Sequence, residues 1–428
     1  MIERLRKNDF LRHGAVVFAG LMLANVFHYL WYFEVSRLVG VAGYAVVTSL
    51  FAAVTICSLP GLIVQTAIAK VSADLHAAND LPHLRKLANR VTLGALGGGV
   101  FALALTLLFC NVIADYLHIA DLRLIVASGV ALMLTLILVV QRGIYSGAQR
   151  FGTFTLSNVI EAVGKALLGA VLPLAGFGAL GALVGLDIAL ALAFVYTTWQ
   201  FVQFGAPAAA LVLAWRRILA TSSNIALSVS AITVMTLFDV ILVKHYFPAE
   251  IAGLYSASSL AGRALFTVLA FVPTIIMPKA AERLAARRSP RSLLAQAGVL
   301  VLLIGGTALA VFAFAPRLVI AIIAGKAYLD AAPLVFSYGC ALVMLASANI
   351  AAMYKIGLHR FDFTVPLIAV MAGEIVAVSF HHASLAAVIQ TLVIGHGMAL
   401  AVTLFRITAR DARAVQETSP PPVMETIA

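Results

Sequence analysis

Charge is what this sequence has least of. Only 11% of its 428 residues are Asp, Glu, Lys or Arg, against 62% hydrophobic residues and a mean hydropathy of +1.03. A soluble domain is about a quarter charged, so this chain lacks the polar surface to cover a water-soluble body, and lipid must solvate much of it. Cysteine is almost missing as well. Cys57, Cys110 and Cys340 all fall inside apolar runs, which excludes a disulfide scaffold and leaves them as small, buried apolar residues. Acid is scarcer than base, 18 residues against 29, yet the excess need not mean a nucleic-acid partner, and none is expected. The chain shows no Walker motif, no H-E-x-x-H and no stretch polar enough for a large soluble domain, so ATP hydrolysis and sugar-transfer chemistry are not expected. Its one G-x-G-x-x-G, "GFGALG" at 176–181, sits between apolar runs with no strand before it and reads as a turn rather than a nucleotide loop.

What is there is a series of apolar runs of about 20 residues, the length that crosses a bilayer core. They lie at 13–33, 42–69, 91–114, 124–146, 153–173, 178–203, 223–245, 252–277, 293–315, 332–354, 363–380 and 383–405. They read as helices, because an open sheet would leave backbone groups unpaired in lipid. The first run is too well embedded in this pattern for a cleaved signal peptide. Lys and Arg set the orientation. With the N-terminus in the cytoplasm, the outer side carries only Arg37, Arg123, Lys244, Arg317 and Lys326, and Lys165 and Arg263 lie within spans. All other Lys and Arg, including Arg142 and Arg150 after the fourth span, fall to the cytoplasmic side. An even number of spans with both termini inside a bacterial inner membrane follows. The tail 411–428 has no pattern that packs and reads as disordered.

The chain is written twice. "AGYAVVTSL" at 42–50 is echoed by "AGLYSASSL" at 252–260, and the same offset of 210 relates Gly129 to Gly339, Gly147 to Gly357, Arg150 to Arg360 and Phe151 to Phe361. The expected architecture is therefore all-α and integral to the membrane. Twelve transmembrane helices form two six-helix parallel repeats, a lobe at 1–205 and a lobe at 206–410, related by an axis along the membrane normal. Parallel repeats of this kind are a transporter architecture, in which two similar halves rock about a central cavity.

Three stretches carry a resemblance: "SRLVGVAGYAVVTSL" at 36–50, "FDVILVKHYFPAEIAGLYSASSLAGRAL" at 238–265 and "AGKAYLDAAPLV" at 324–335. They resemble segments of the bacterial polysaccharide (O-antigen, Wzx-type) flippases, a family of the multidrug/oligosaccharidyl-lipid/polysaccharide exporter superfamily. The resemblance implies a V-shaped two-lobe bundle whose first, second, seventh and eighth helices line the cavity. It implies an undecaprenyl-pyrophosphate-linked glycan as cargo, a role in O-antigen or lipopolysaccharide biosynthesis, and a polysaccharide polymerase and chain-length machinery as partners beside the membrane lipids.

A charge mid-bilayer costs about 2.5–3.5 kcal/mol on insertion scales, so each needs a partner or a wet cavity. Glu161 and Lys165 stand four apart and share a helix face with Asn158. Asn25 and His28 stripe the first helix, and Ser259 and Arg263 the eighth. Pyrophosphate needs multidentate cations, and Arg supplies a planar fork. The candidate cargo ligands are Arg263, Lys165 and Arg37, with Asn25, His28, Asn158 and Ser259 for sugar hydroxyls. Each has a plainer reading. Arg263 would pair with Glu374 or Asp239, Lys165 would be neutralised by Glu161, Arg37 would anchor the first helix, and His28 and His396 would be satisfied bundle histidines. Glu161, Asp187, Glu374 and Asp239 are the candidates to couple transport to a proton or Na⁺, and no other cofactor is expected. Pro60 and Pro273 are expected to kink the second and eighth helices. A cation-coupled multidrug exporter of the same superfamily is the nearest alternative. A membrane-embedded polysaccharide polymerase or ligase is the other, disfavoured because the longest outer loop, 316–331, is short and apolar.

Overall fold

A computed structural model describes residues 9–209, 215–286, 289–405 and 407, and these contain no strand. The tail 411–428 and the cations Arg4, Arg6, Lys7, Arg287, Arg288, Arg406, Arg410 and Arg413 lie outside the described residues. The first half runs α1 (Asp9–Leu38), α2 (Gly40–Ala77), α3 (Leu81–Leu108), α4 (Cys110–Leu117), α5 (Leu122–Gly147), α6 (Phe151–Leu172) and α7 (Gly178–Trp199). The second runs α8 (Trp215–Tyr246), α9 (Ala249–Leu269), α10 (Phe271–Ala285), α11 (Arg291–Phe314), α12 (Pro316–Ile323), α13 (Ala332–Gly357), α14 (Thr364–Phe380) and α15 (Leu385–Leu404). α4 and α12 are eight residues each, too short to cross. Every apolar run of the sequence finds its helix, with α9 and α10 together forming the eighth span. Among the described residues nine helical stretches are long and apolar enough to cross a membrane, and the protein is an all-α, multi-pass membrane protein. Large side chains such as Phe101, Leu108, Leu302, Phe314, Val365 and Phe380 stand exposed on its helices, as lipid-facing surfaces require.

Local chemistry sets the breaks. Asp80 caps α3 by accepting from His83 N at 3.2 Å, and Ser384 caps α15 by accepting from Ala387 N at 3.2 Å. The Asp80 carboxylate also takes the His83 ring at 2.7 Å, and these hydrogen bonds hold it below the usual carboxylate range. Between α6 and α7 the chain reverses at Gly176, whose φ of 96° is open to glycine. Across that hairpin Gly181 and Gly185 lie against the backbone of Leu172 and Leu168. The Gly-rich "GFGALG" is thus a turn and the start of a close helix contact. The eighth span breaks at Ala270, just before Pro273, whose missing N–H cannot continue the ladder. Pro60 stays inside the unbroken α2. Cys57, Cys110 and Cys340 are free, and only Cys110 is fully buried; Cys57 lies on an exposed face.

The repeat is physical. A Cβ on Gly147 would strike the carbonyl of Ala69, and one on Gly357 would strike that of Met277. Gly129 faces Leu103 and Thr106 where Gly339 faces Leu309 and Phe312. After each fourth span a non-glycine residue turns left-handed, Gln149 at φ 54° and His359 at φ 55°. In both turns the next arginine, Arg150 or Arg360, donates its N–H back at 2.9 Å, to Tyr145 O or Lys355 O. Two apolar clusters correspond as well. Ile68, Leu84, Ala88, Val140 and Ile144 cluster in the first half and Ile276, Leu293, Ala297, Ile350 and Tyr354 in the second, with Val140/Ile350 and Ile144/Tyr354 at the offset of 210. The loop read at 316–331 is α12 plus a 3₁₀ turn, Lys326–Ala331, and α12 is the counterpart of α4.

Packing divides the chain into two compact units. The first takes in residues up to Thr233 together with Leu237–Leu260 and Ile320–Ala331. In it α2 packs on α5, α6 on α7 and α1 on α6. The second takes in Val234–Thr236, Ala261–Val319 and the chain from Ala332 onward. There α13 packs on α15 and α10, and α14 on α15.

Candidate functional site

The first unit holds a charged cluster at membrane depth, where α1, α5 and α6 meet. α6 presents Ser157, Glu161 and Lys165 at four-residue spacing, one above the other on a single face. Arg142 reaches this face from α5. Its Nη2 lies 2.7 Å from Glu161 Oε2 and donates at 3.1 Å to Ser157 O, and its Nε donates at 3.2 Å to Ser157 Oγ. This is a charge-assisted contact with little water around it, since the two side chains are 12% and 16% exposed.

Lys165 is fully buried. Its ammonium lies 4.6 Å from the Trp31 ring, 4.9 Å from Phe51 and 5.7 Å from Tyr32. These rings pack edge-on and tilted against one another, with centroids 5.0–5.8 Å apart, and present π faces to the cation. Gly169 makes the arrangement possible, since a Cβ there would overlap the Trp31 indole. His28, one turn before Trp31 and Tyr32, sits within the fields of Lys165, Glu161 and Arg142. Its Nδ1 is buried with no hydrogen-bond partner, so it is not the satisfied histidine that the sequence suggested. Asn25 stands one turn earlier on α1. Asn158 donates to Phe154 O at 2.8 Å on its own helix.

The cluster therefore joins His28, Glu161 and Lys165 and adds Arg142; Asn25 stands a turn before His28 on α1, and Asn158 a turn before Glu161 on α6. Counting cations for topology assigned Arg142 to a cytoplasmic segment; it lies instead within α5, five residues before its end. The signal was available, because the apolar run 124–146 already contains it. Lys165 is faced by rings, while Glu161 is held by Arg142 rather than by its helix neighbour. Arg142 and Lys165 against Glu161 leave a surplus of positive charge in a low-dielectric site.

The other predicted residues stand elsewhere. Arg37 donates to the carbonyls of Ala321, Ile322 and Ile323 at 3.2, 2.8 and 3.3 Å and lies over the Phe33 ring. Ser259 donates to Ser256 O at 2.9 Å, and Ser256 Oγ meets Thr48 Oγ1 at 3.0 Å. Asp239 is buried and accepts from the Tyr255 hydroxyl at 2.7 Å. Asp187 is half-buried on α7, with Oδ1 buried and without a hydrogen-bond partner. In the second unit, Arg263 Nε donates to Thr236 O at 3.0 Å. There Glu374 lies 3.2 Å from His396 Nε2, and His396 Nδ1 is 2.9 Å from Ala341 O. Among the described residues no group of three or more His, Cys, Asp or Glu is placed to hold a metal.

The sequence profile described as "Polysaccharide biosynthesis protein" matches residues 34–333. No curated protein matches the sequence. Among solved structures, an inward-facing multidrug resistance MATE family transporter of the MOP superfamily superposes with a TM-score of 0.75 at 14% identity. That match covers 93% of this chain and 96% of the other. MATE in its bent conformation gives 0.65 at 15% identity, over 96% and 98% of the two chains. A MOP superfamily transporter from Pyrococcus furiosus, described with a binding pocket of reverse polarity, gives 0.61 at 15% identity over 94% and 95%.

Proposed function

The chain belongs to the polysaccharide biosynthesis protein family, and we propose that it is a membrane transporter whose cargo is an undecaprenyl-pyrophosphate-linked oligosaccharide. It moves this cargo from the cytoplasmic to the periplasmic leaflet of the bacterial inner membrane by alternating access, with both termini cytoplasmic. The six-helix halves 1–205 and 206–410 act as its two lobes. The observation that carries this reading is the positive surplus of Arg142 and Lys165 over Glu161 at membrane depth. A pyrophosphate supplies the missing negative charge, and Arg142 offers it a planar fork once Glu161 lets go. Asn25, His28 and Asn158 border the same place with groups suited to sugar hydroxyls. Release of Glu161 by Arg142 frees a carboxylate to take a proton or Na⁺, which supplies a route to coupling. Asp187, Asp239 and Glu374 are the remaining carboxylates for that role. A polymerase and chain-length machinery would consume the product.

The test is flipping in vesicles. Full-length protein in liposomes should bring a fluorescent undecaprenyl-pyrophosphate glycan to the far leaflet. Lys165→Gln and Arg142→Gln should each slow this at least about tenfold, the loss expected when a charge-assisted phosphate contact is removed. Wild-type rates in both variants would remove the cluster from the site. A second reading, cation-coupled export of multidrug substrates, is favoured by the fold shared with MATE transporters and by the buried carboxylates. Cation-driven efflux of a lipophilic cationic dye, without glycan flipping, would select it.

A further inference from the structure

The two short helices end in the same way. α4 closes when Ile119 N donates to Ala114 O at 2.9 Å, and α12 when Gly325 N donates to Ile320 O at 3.0 Å. A left-handed residue follows each, His118 at φ 50° and Gly325 at φ 107°. Such an end leaves its last carbonyls without helical partners and carries the negative pole of the helix. In water those carbonyls would be hydrated. Here a cation from the opposite half of the sequence serves each set.

Arg37, at the end of α1, donates to Ala321, Ile322 and Ile323 O of α12. Lys244, at the end of α8, donates to Leu117 O of α4 at 2.5 Å. α1 and α8 are the first helices of their halves, so the exchange is reciprocal. Each half reaches over with its first helix and grips the short helix of the other. Both contacts lie inside the first compact unit. The neighbouring residues repeat the pattern. Ser36 Oγ donates to Ala324 O at 3.1 Å, and the Tyr328 hydroxyl donates to Ser36 O at 2.8 Å. His245 stacks on Tyr116 at 3.9 Å, and its Nδ1 lies 2.6 Å from Tyr116 O.

We propose that Arg37 and Lys244 are twin latches of a gate at this end of the transporter, the outer end in the expected topology, and that their joint release from the two helix ends is its opening step. The proposal rests on the transport reading for its purpose. A cation on a helix C-terminus makes a suitable latch, because on opening both the cation and the carbonyls exchange each other for water, so little net free energy is lost. Chemical likeness of the two latches lets them release together. Arg37 is thereby a gating residue rather than a ligand for the cargo.

The test reads closure directly and needs no cargo. In full-length protein with Cys57, Cys110 and Cys340 replaced by Ser, Thr48→Cys places a thiol at the buried contact between Thr48 and Ser256. Its rate of reaction with a hydrophilic maleimide reports how often this end opens. The combination of Arg37→Ala with Lys244→Ala should raise that rate about tenfold, the size expected from losing one exposed and one buried helix-end contact. Each single change should raise it less, and Arg37→Lys least. An unchanged rate in the double variant overturns the proposal. A second arm guards against loss of fold. Adding Ser36→Cys and Ala324→Cys, where Ser36 Oγ donates to Ala324 O at 3.1 Å across the two halves, allows a disulfide to replace the latches. Oxidation should return labelling to the parental rate and reductant should undo it. Fast labelling that ignores the disulfide would show a collapsed protein and would also overturn the proposal. Because no glycan is added, a failed flipping assay and a failed latch remain separate results.

Discussion

The two halves share a scaffold and differ in chemistry. Gly129 and Gly339, Gly147 and Gly357, and the left-handed Gln149 and His359 occupy matching places and do matching work. The charged cluster has no such echo. At the same offset of 210, Arg142 becomes Ala352, Glu161 becomes Met371, Lys165 becomes Ile375 and His28 becomes Phe238. The second half carries its own buried carboxylate and histidine, Glu374 and His396, on α14 and α15. Duplication has kept what lets helices approach, while each copy carries its own buried ionic groups. In a low-dielectric interior every such group costs several kcal/mol unless partnered, so a charge persists where a partner stands ready.

The sharpest way to break this comparison is to remove the partner on one side. Glu161→Gln leaves Arg142 buried without its carboxylate and should destabilise by about 3–5 kcal/mol, as breaking a buried ion pair does. Thermal unfolding in detergent should show a clear loss, whereas Met371→Gln at the matching position should show far less. Equal losses would mean that the cluster is not special. A smaller effect sharpens the likeness. Gly147→Ala and Gly357→Ala each press a methyl on a backbone carbonyl and should cost about 1–3 kcal/mol apiece, similar in size. A one-sided response would deny the structural equivalence. Smallest is a pH effect at the start of α3. The Asp80 carboxylate is held below its ordinary range by His83, so its stabilisation is present above the unfolded value, about pH 4, and fades as pH falls through the lower folded value. Asp80→Asn should flatten the acid limb of the unfolding curve only slightly, because the site is open to solvent.

The spans were legible because lipid imposes a length on every apolar run, and the repeat because matching glycines serve matching contacts. α4 and α12 were not legible. Eight residues give too little periodicity, and α4 merged with the end of the third apolar run. The site was half legible. Spacing along one helix put Glu161 and Lys165 on a face, but the partner of Glu161 comes from another helix, and no pattern within α6 announces Arg142. A long basic side chain near a helix end ordinarily snorkels to the interface, which is why Arg142 read as topology. The rings around Lys165 were hidden for the same reason. Trp31 and Tyr32 are ordinary apolar residues of α1 until Gly169 admits them.

The turn at Gly176 has a consequence for biogenesis. It brings Gly181 and Gly185 onto Leu172 and Leu168 through contacts nine and seventeen residues apart in the chain, and such local contacts close early. α6 and α7 then leave the insertion machinery as one hairpin. Glu161 and Lys165, a turn apart on α6, enter the bilayer already neutralising each other. Arg142 and the rings of α1 lie on helices made before α6, so the partners that claim them in the folded protein have already been synthesised.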